Sequence, residues 1–288
     1  MNGRTLRRLA ALVLIVGLTS GCWWRDDDRE LMVDNEELYR KARVDIAQGQ
    51  FFRASERLGE VGLTKAVSPE LDPYVKLAIA DSYFYRGGSI NAIEAQSRYE
   101  QFLSFYPTHE MSSYARYQIG VCLFRQSERP ENDQEYTLRA RNHFRDMLAD
   151  LRPDDPWRLP AAAMRQRAED KLARHEWQVA SFYVEEQEHL GAITRLEKLV
   201  REYPGALVRR EAMLVLARSY ADVGDYAQAR LTLDRLVDEY PGAKGSSSVA
   251  TLRQRIEKGL AGGQEGPAGE DAAQLRERRA PSRVRAGE

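Results

Sequence analysis

Val179–Pro204, VASFYVEEQEHLGAITRLEKLVREYP, and Leu216–Pro241, LARSYADVGDYAQARLTLDRLVDEYP, are one pattern written twice. Ala180, Tyr183, Ala192, Leu196, Leu199 and Pro204 return as Ala217, Tyr220, Ala229, Leu233, Leu236 and Pro241, each displaced by 37 residues. The alanines fall where two antiparallel helices must approach to about 8–10 Å, a distance that large side chains on both would oppose. Tyr183 and Leu196 then fill the space between copies. Gly224 stands where a left-handed residue ends the first helix, Asp225 can cap the second, and Pro241 stops it. Each copy therefore reads as a helical hairpin.

A small residue, an aromatic, a small residue, an aliphatic and a terminal proline at this period are the pattern of tetratricopeptide repeats, whose unit is about 34 residues. One hairpin cannot bury its apolar face alone, so further copies are required. They lie upstream. Ala42, Ile46, Gly49, Phe51, Ala54 and Leu58 form one. Ala80, Tyr83 and Gly87 with Ala95, Tyr99, Phe102 and Pro107 form another. Ile119, Gly120 and Leu123 with Ala140, Phe144 and Leu148 form a third, split by the polar loop Gln126 to Tyr136. The fold class expected is all-α, a tetratricopeptide-repeat solenoid of about five helix pairs over 35–259. Its repeats are drawn at 35–66, 70–109, 112–153, 160–206 and 209–243, with a capping helix to 259. The periodic alanines and aromatics are core. Function must come from what stays exposed.

The amino terminus carries an address. Arg4, Arg7 and Arg8 precede the apolar run Leu9 to Leu18, too short to span a bilayer, so residues 1–21 read as a secretory signal. The run ends in Leu18-Thr19-Ser20-Gly21-Cys22, which resembles the lipobox of bacterial lipoproteins, with Thr19 where leucine is usual. That resemblance makes Cys22 the acylated first residue of the mature chain. Acyl chains would attach the protein to a membrane surface without a transmembrane helix. Trp23 follows the cysteine in place of the aspartate that retains lipoproteins at the inner membrane, which points to the outer membrane. Trp23 and Trp24 suit either a lipid interface or a plain linker. Residues 22–34, acidic from Asp26 onward, read as a tether, and 260–288, rich in Gly, Ala, Pro, Glu and Arg, as a disordered tail.

Charge and chemistry narrow the function by exclusion. The chain has 43 Lys and Arg against 44 Asp and Glu. Residues 1–21 hold three arginines and no acid, so the mature balance is acidic and nucleic acid is not an expected partner. With Cys22 acylated, Cys122 has no disulfide mate and reads as a small buried side chain. His175-Glu176 begins a zinc-protease motif, but Val179 stands where the second histidine belongs. No phosphate-binding glycine loop occurs, and Gly245-Ser246-Ser247-Ser248 lacks the nucleophile-elbow pattern. The expectation is a protein that is not an enzyme and takes no metal or cofactor.

The chain resembles the BamD (ComL) family, the tetratricopeptide lipoproteins of the outer-membrane β-barrel assembly machinery. The likeness is densest through Ala173, Glu176, Val179, Ala180, Tyr183, Arg195 and Tyr203-Pro204. Two further blocks carry it: Asn35, Glu36, Tyr39, Ala42, Gly49 and Ala54, then Pro107-Thr108-His109 with Tyr114, Tyr117 and Gly120. The resemblance implies an adaptor lipid-anchored to the outer membrane and facing the periplasm. Its later repeats would dock a periplasmic domain of a BamA-like barrel protein through Arg195, Glu176 and Arg201, and its early repeats would receive unfolded outer-membrane proteins. Accessory lipoproteins are further partners of that kind of assembly. A substrate-peptide groove is expected at Phe51, Tyr74, Tyr83 and Tyr114. It borders Gly62 to Pro69, where this chain departs from the family's Tyr-Pro turn.

Two alternatives stay open at the level of sequence. Arg195 is compatible with a solvated helix-face charge. Another lipidated repeat protein of the envelope, such as a pilotin guiding a pilus secretin, shares the signal and helix pairs, though not the Pro-Thr-His and Tyr-Pro blocks together. An envelope enzyme would need a catalytic domain for which only the tail remains.

Overall fold

The computed structural model of the protein describes residues 23–63, 67–127 and 133–262. The expected signal, the lipidation site Cys22 and the tail beyond 262 lie outside the described residues. Among the described residues every regular element is helical. In chain order they are α1 (Trp23–Ala47), α2 (Phe51–Leu63), α3 (Asp72–Arg86), α4 (Ser89–Phe105), α5 (Ser112–Gln126) and α6 (Glu135–Asp150). There follow α7 (Arg158–Glu185), α8 (His189–Glu202), α9 (Arg209–Asp222), α10 (Tyr226–Glu239), a 3-10 turn (Pro241–Ala243) and α11 (Ser247–Ala261). The order gives five pairs and a closing helix.

The stretch expected as a tether opens α1. No proline or glycine interrupts Trp23–Ala47. A helix of 25 residues is about 37 Å long.

The chain divides into two compact units. One is the chain up to Gln126 together with Ala149–Arg158; the other is Ser127–Leu148 together with the chain from Leu159 onward. In the first unit, α1 to α5 each pack on the next, and α1 also meets α3. Ala42 of α1, Leu58 of α2 and Ala78 of α3 are buried together, so small side chains permit the three-way contact. In the second unit one core runs from Ala180 of α7 through Leu196, Leu199, Ala217, Tyr220, Leu233 and Leu236 to Ile256 of α11. Both copies of the alanine pair are buried: Ala180 with Ala192, and Ala217 with Ala229.

Three of the hairpin turns share one closure. Gln50, Glu188 and Asp225 each donate their amide to the carbonyl five residues back, on Asp45, Tyr183 and Tyr220, at 2.8, 2.8 and 2.9 Å. That bond needs a left-handed residue just before it. Gly49 (φ 74°) and Gly224 (φ 80°) supply it in two turns, and Gln187 (φ 61°) in the third. As expected, the Asp225 side chain accepts the Gln228 amide and caps α10.

Candidate functional site

The hairpin of α7 and α8 positions the most distinctive charged cluster. Glu176 lies one turn before Ala180 on α7 and so faces α8; it is only 3% exposed. A carboxylate in that position requires partners. Two come from α8, at positions three apart and hence on one helix face. Lys198 Nζ stands 2.5 Å from Glu176 Oε1, and Arg195 Nη1 donates to Glu176 Oε2 at 3.3 Å. Both cations keep about 40% of their side-chain surface in solvent. They rim an open cavity of roughly 620 Å³ whose walls include Leu138 and Arg141 of α6, Leu172 and His175 of α7, and Tyr203. Burial pushes the Tyr203 phenol up to about 12, which keeps it a neutral donor.

The three residues expected at the partner contact thus separate. Arg195 is half-buried and lies at the cavity rim. Glu176 is buried behind the two cations it holds and presents almost no surface of its own. Arg201 points elsewhere: six residues on from Arg195 it lies roughly 120° round the helix, is 70% exposed and pairs with Glu202 at 3.3 Å. Lys198 was not among the expected residues. Its spacing from Arg195 and the register of Glu176 one turn before Ala180 were the available signals.

The expected groove aromatics do not form one surface either. Tyr83 lines a cavity of roughly 560 Å³ with Ser55, Glu56 and Gly59 of α2, Lys76 and Ile79 of α3, and Arg98 of α4. Phe51 stacks on Tyr85, with ring centroids 5.4 Å apart. Tyr74 donates to Glu110 at 2.7 Å and meets His109 edge to face. Tyr114 is committed inside the first unit: its hydroxyl and that of Tyr99 donate to the same oxygen of Asp81, at 2.6 and 2.5 Å. Burial pushes the Asp81 carboxyl up, against the two phenols and the Arg43 charge, and pushes both phenols up. Tyr114 is half-buried, with its hydroxyl spent on Asp81.

Exposed aromatics that the sequence reading passed over stand beside Tyr83. The Arg86 guanidinium lies 5.1 Å from the Phe52 ring centre and 5.4 Å from that of Tyr83, and Arg98 lies 6.0 Å from Tyr83 on α4. Phe52 is 61% exposed. Cations over rings in water are worth about 0.5–1 kcal/mol each, which offsets part of the ordering cost of these side chains and leaves apolar surface open.

Cys122 is buried, and burial pushes its thiol up to about 12, as suits a packing residue. Among the described residues no group of three or more His, Cys, Asp or Glu is placed to hold a metal ion, and no helix is long and apolar enough to cross a membrane.

Residues 32–236 match the family YfiO, described as an outer membrane lipoprotein. The chain is 22% identical over 226 residues to the outer membrane protein assembly factor BamD of Rickettsia prowazekii (strain Madrid E), covering 78% of this chain and 88% of that protein. It is 23% identical over 234 residues to the protein of the same name from Vibrio cholerae serotype O1, covering 78% and 93%. Among solved structures, a tetratricopeptide repeat protein from Parabacteroides merdae aligns over 86% of this chain and 94% of its own, at 16% identity and a TM-score of 0.33.

Proposed function

The chain belongs to the YfiO family of outer membrane lipoproteins, and from that premise we propose that it is a non-enzymatic assembly factor for β-barrel proteins of the outer membrane. The second unit docks the periplasmic domain of a BamA-like barrel protein at the rim of the α6–α8 cavity. Arg195 makes the contact: its guanidinium spends one nitrogen on Glu176, and its planar fork suits a partner carboxylate. The first unit holds segments of unfolded outer-membrane proteins at Phe52, Tyr83, Arg86 and Arg98. There apolar rings and cations together offset part of the ordering entropy of an extended chain. Acylation at Cys22 keeps the protein on the periplasmic face of the outer membrane.

The family match over 32–236, which contains both regions, carries this reading. Affinity purification of the lipidated protein from membranes, followed by mass spectrometry, tests it. The expected product is a β-barrel protein bearing periplasmic domains, together with accessory lipoproteins. Recovery of a secretin without any such barrel protein would replace this reading with that of a pilotin.

A further inference from the structure

Glu176 has two cationic partners on one helix, and they are not equally engaged. Lys198 Nζ is 2.5 Å from one carboxylate oxygen, while Arg195 reaches the other with a single nitrogen at 3.3 Å. The carboxylate is 5% exposed on its side chain and each cation about 40%. A carboxylate buried to this degree draws in whatever positive charge is available, because an uncompensated ion in that setting is strongly unfavourable. With one cation fewer, the remaining one must move inward.

We propose that Lys198 is a positioning residue for the partner contact: by holding Glu176 it keeps the Arg195 guanidinium half-engaged and turned to the cavity rim, ready for a partner's carboxylate. This rests on the docking role given to Arg195 above. Three features carry it. The ammonium is a compact charge that satisfies one oxygen without covering the other. Positions 195 and 198 share a helix face, so both cations reach the same carboxylate. The fork of an arginine released from one competitor would close on a carboxylate with two parallel bonds, and those are the bonds a partner would otherwise receive. Lys198 therefore sets the availability of Arg195 through the carboxylate they share.

The full chain, compared with Lys198→Met, Lys198→Met/Glu176→Gln and Lys198→Arg, tests the idea in two independent ways. The first needs no partner: the rate at which phenylglyoxal modifies Arg195, read peptide by peptide in mass spectrometry. Lys198→Met should slow modification at least about threefold as the guanidinium closes on Glu176. Adding Glu176→Gln should restore the rate, and Lys198→Arg, whose fork can occupy both carboxylate oxygens, should hold it at or above that of the unchanged protein. Equal rates in the unchanged protein and Lys198→Met would overturn the proposal. A slowed rate that Glu176→Gln fails to restore would also overturn it, since a merely structural loss is not repaired by removing the second charge.

The second arm measures binding of the periplasmic domains of the BamA-like barrel protein, expected to weaken in Lys198→Met and recover in the double variant. If the unchanged protein does not bind them, the docking reading fails while the first arm still decides the link from Lys198 to Arg195. If it binds and Lys198→Met binds as well, the positioning role fails and the docking reading stands.

Discussion

Gln187 and Gly224 are equivalent residues, 37 positions apart, and both take left-handed backbone, at φ 61° and 80°. Each closes a hairpin by letting the following amide reach the carbonyl five residues back. Glycine adopts this conformation freely, whereas an L side chain is strained there by about 1–2 kcal/mol. Replacing Gln187 with Gly should therefore raise the unfolding free energy by about 0.5–1 kcal/mol once glycine's extra chain entropy is subtracted. Urea denaturation of the two proteins measures it, and a less stable Gln187→Gly variant would show that the glutamine side chain contributes a contact of its own.

Arg209, 3% exposed at the start of α9, ties three helices together. Its Nε donates to the Val200 carbonyl at the end of α8 at 3.2 Å, and two further nitrogens grip the Glu239 carboxylate at the end of α10. Arg209→Met would leave Glu239 with Arg235, 2.7 Å away, and the Val200 carbonyl without this donor. The expected loss is about 2–3 kcal/mol, less than for a fully buried pair because Glu239 is a third exposed.

The same pair gives a pH dependence. Hydrogen bonds from Arg209 and then Arg235 outweigh burial and hold the Glu239 carboxyl at about 2, below its ordinary 4.5. A carboxyl lowered by folding stabilises the native state above its unfolded value and loses that contribution as pH falls through the folded one. The stability gap between the unchanged protein and Glu239→Gln should be constant above about pH 4.5 and shrink from there toward pH 2. Chemical denaturation of both proteins across that range reads the gap directly; a gap that widens on acidification would contradict the assignment.

Gly259 lies against the Tyr226 ring where α11 meets the start of α10, and a Cβ there would fall 2.5 Å from Tyr226 Cε2. Gly259→Ala must displace the ring or the helix, an overpacking cost of about 1–3 kcal/mol. Gly59, within α2, has nothing within 4 Å of the same added atom, so Gly59→Ala should stabilise by about 0.5–1 kcal/mol through helix propensity alone. Thermal melts should move in opposite directions for the two variants.

Periodic packing was legible in the sequence. The repeated alanines, Leu196, Leu233 and the Asp225 cap are where the spacing put them, because each depends on its own helix and the next. Polar pairing was not legible. Arg209 begins Arg-Arg-Glu, which reads as a solvated helix start, yet it is buried because the ends of α8 and α10 converge on it. Tyr114 is expected in the groove from the family resemblance alone, and Asp81, 33 residues earlier, captures its hydroxyl. Lys198 was passed over although its spacing from Arg195 and the register of Glu176 signalled the pair. The opening of α1 was hidden for a different reason: its acids suggest a tether, and the absence of any helix breaker decided the matter.

Docking of a barrel protein's periplasmic domain through Arg195 is the step on which the proposed function depends. Calorimetric titration of the lipidated protein and of Arg195→Glu with those domains tests it most directly. The unchanged protein should bind saturably and Arg195→Glu at least about tenfold more weakly, with both still unfolding cooperatively in urea, Arg195→Glu at a lower midpoint because its new carboxylate faces the buried Glu176. Equal affinities, or no binding by the unchanged protein, would contradict it.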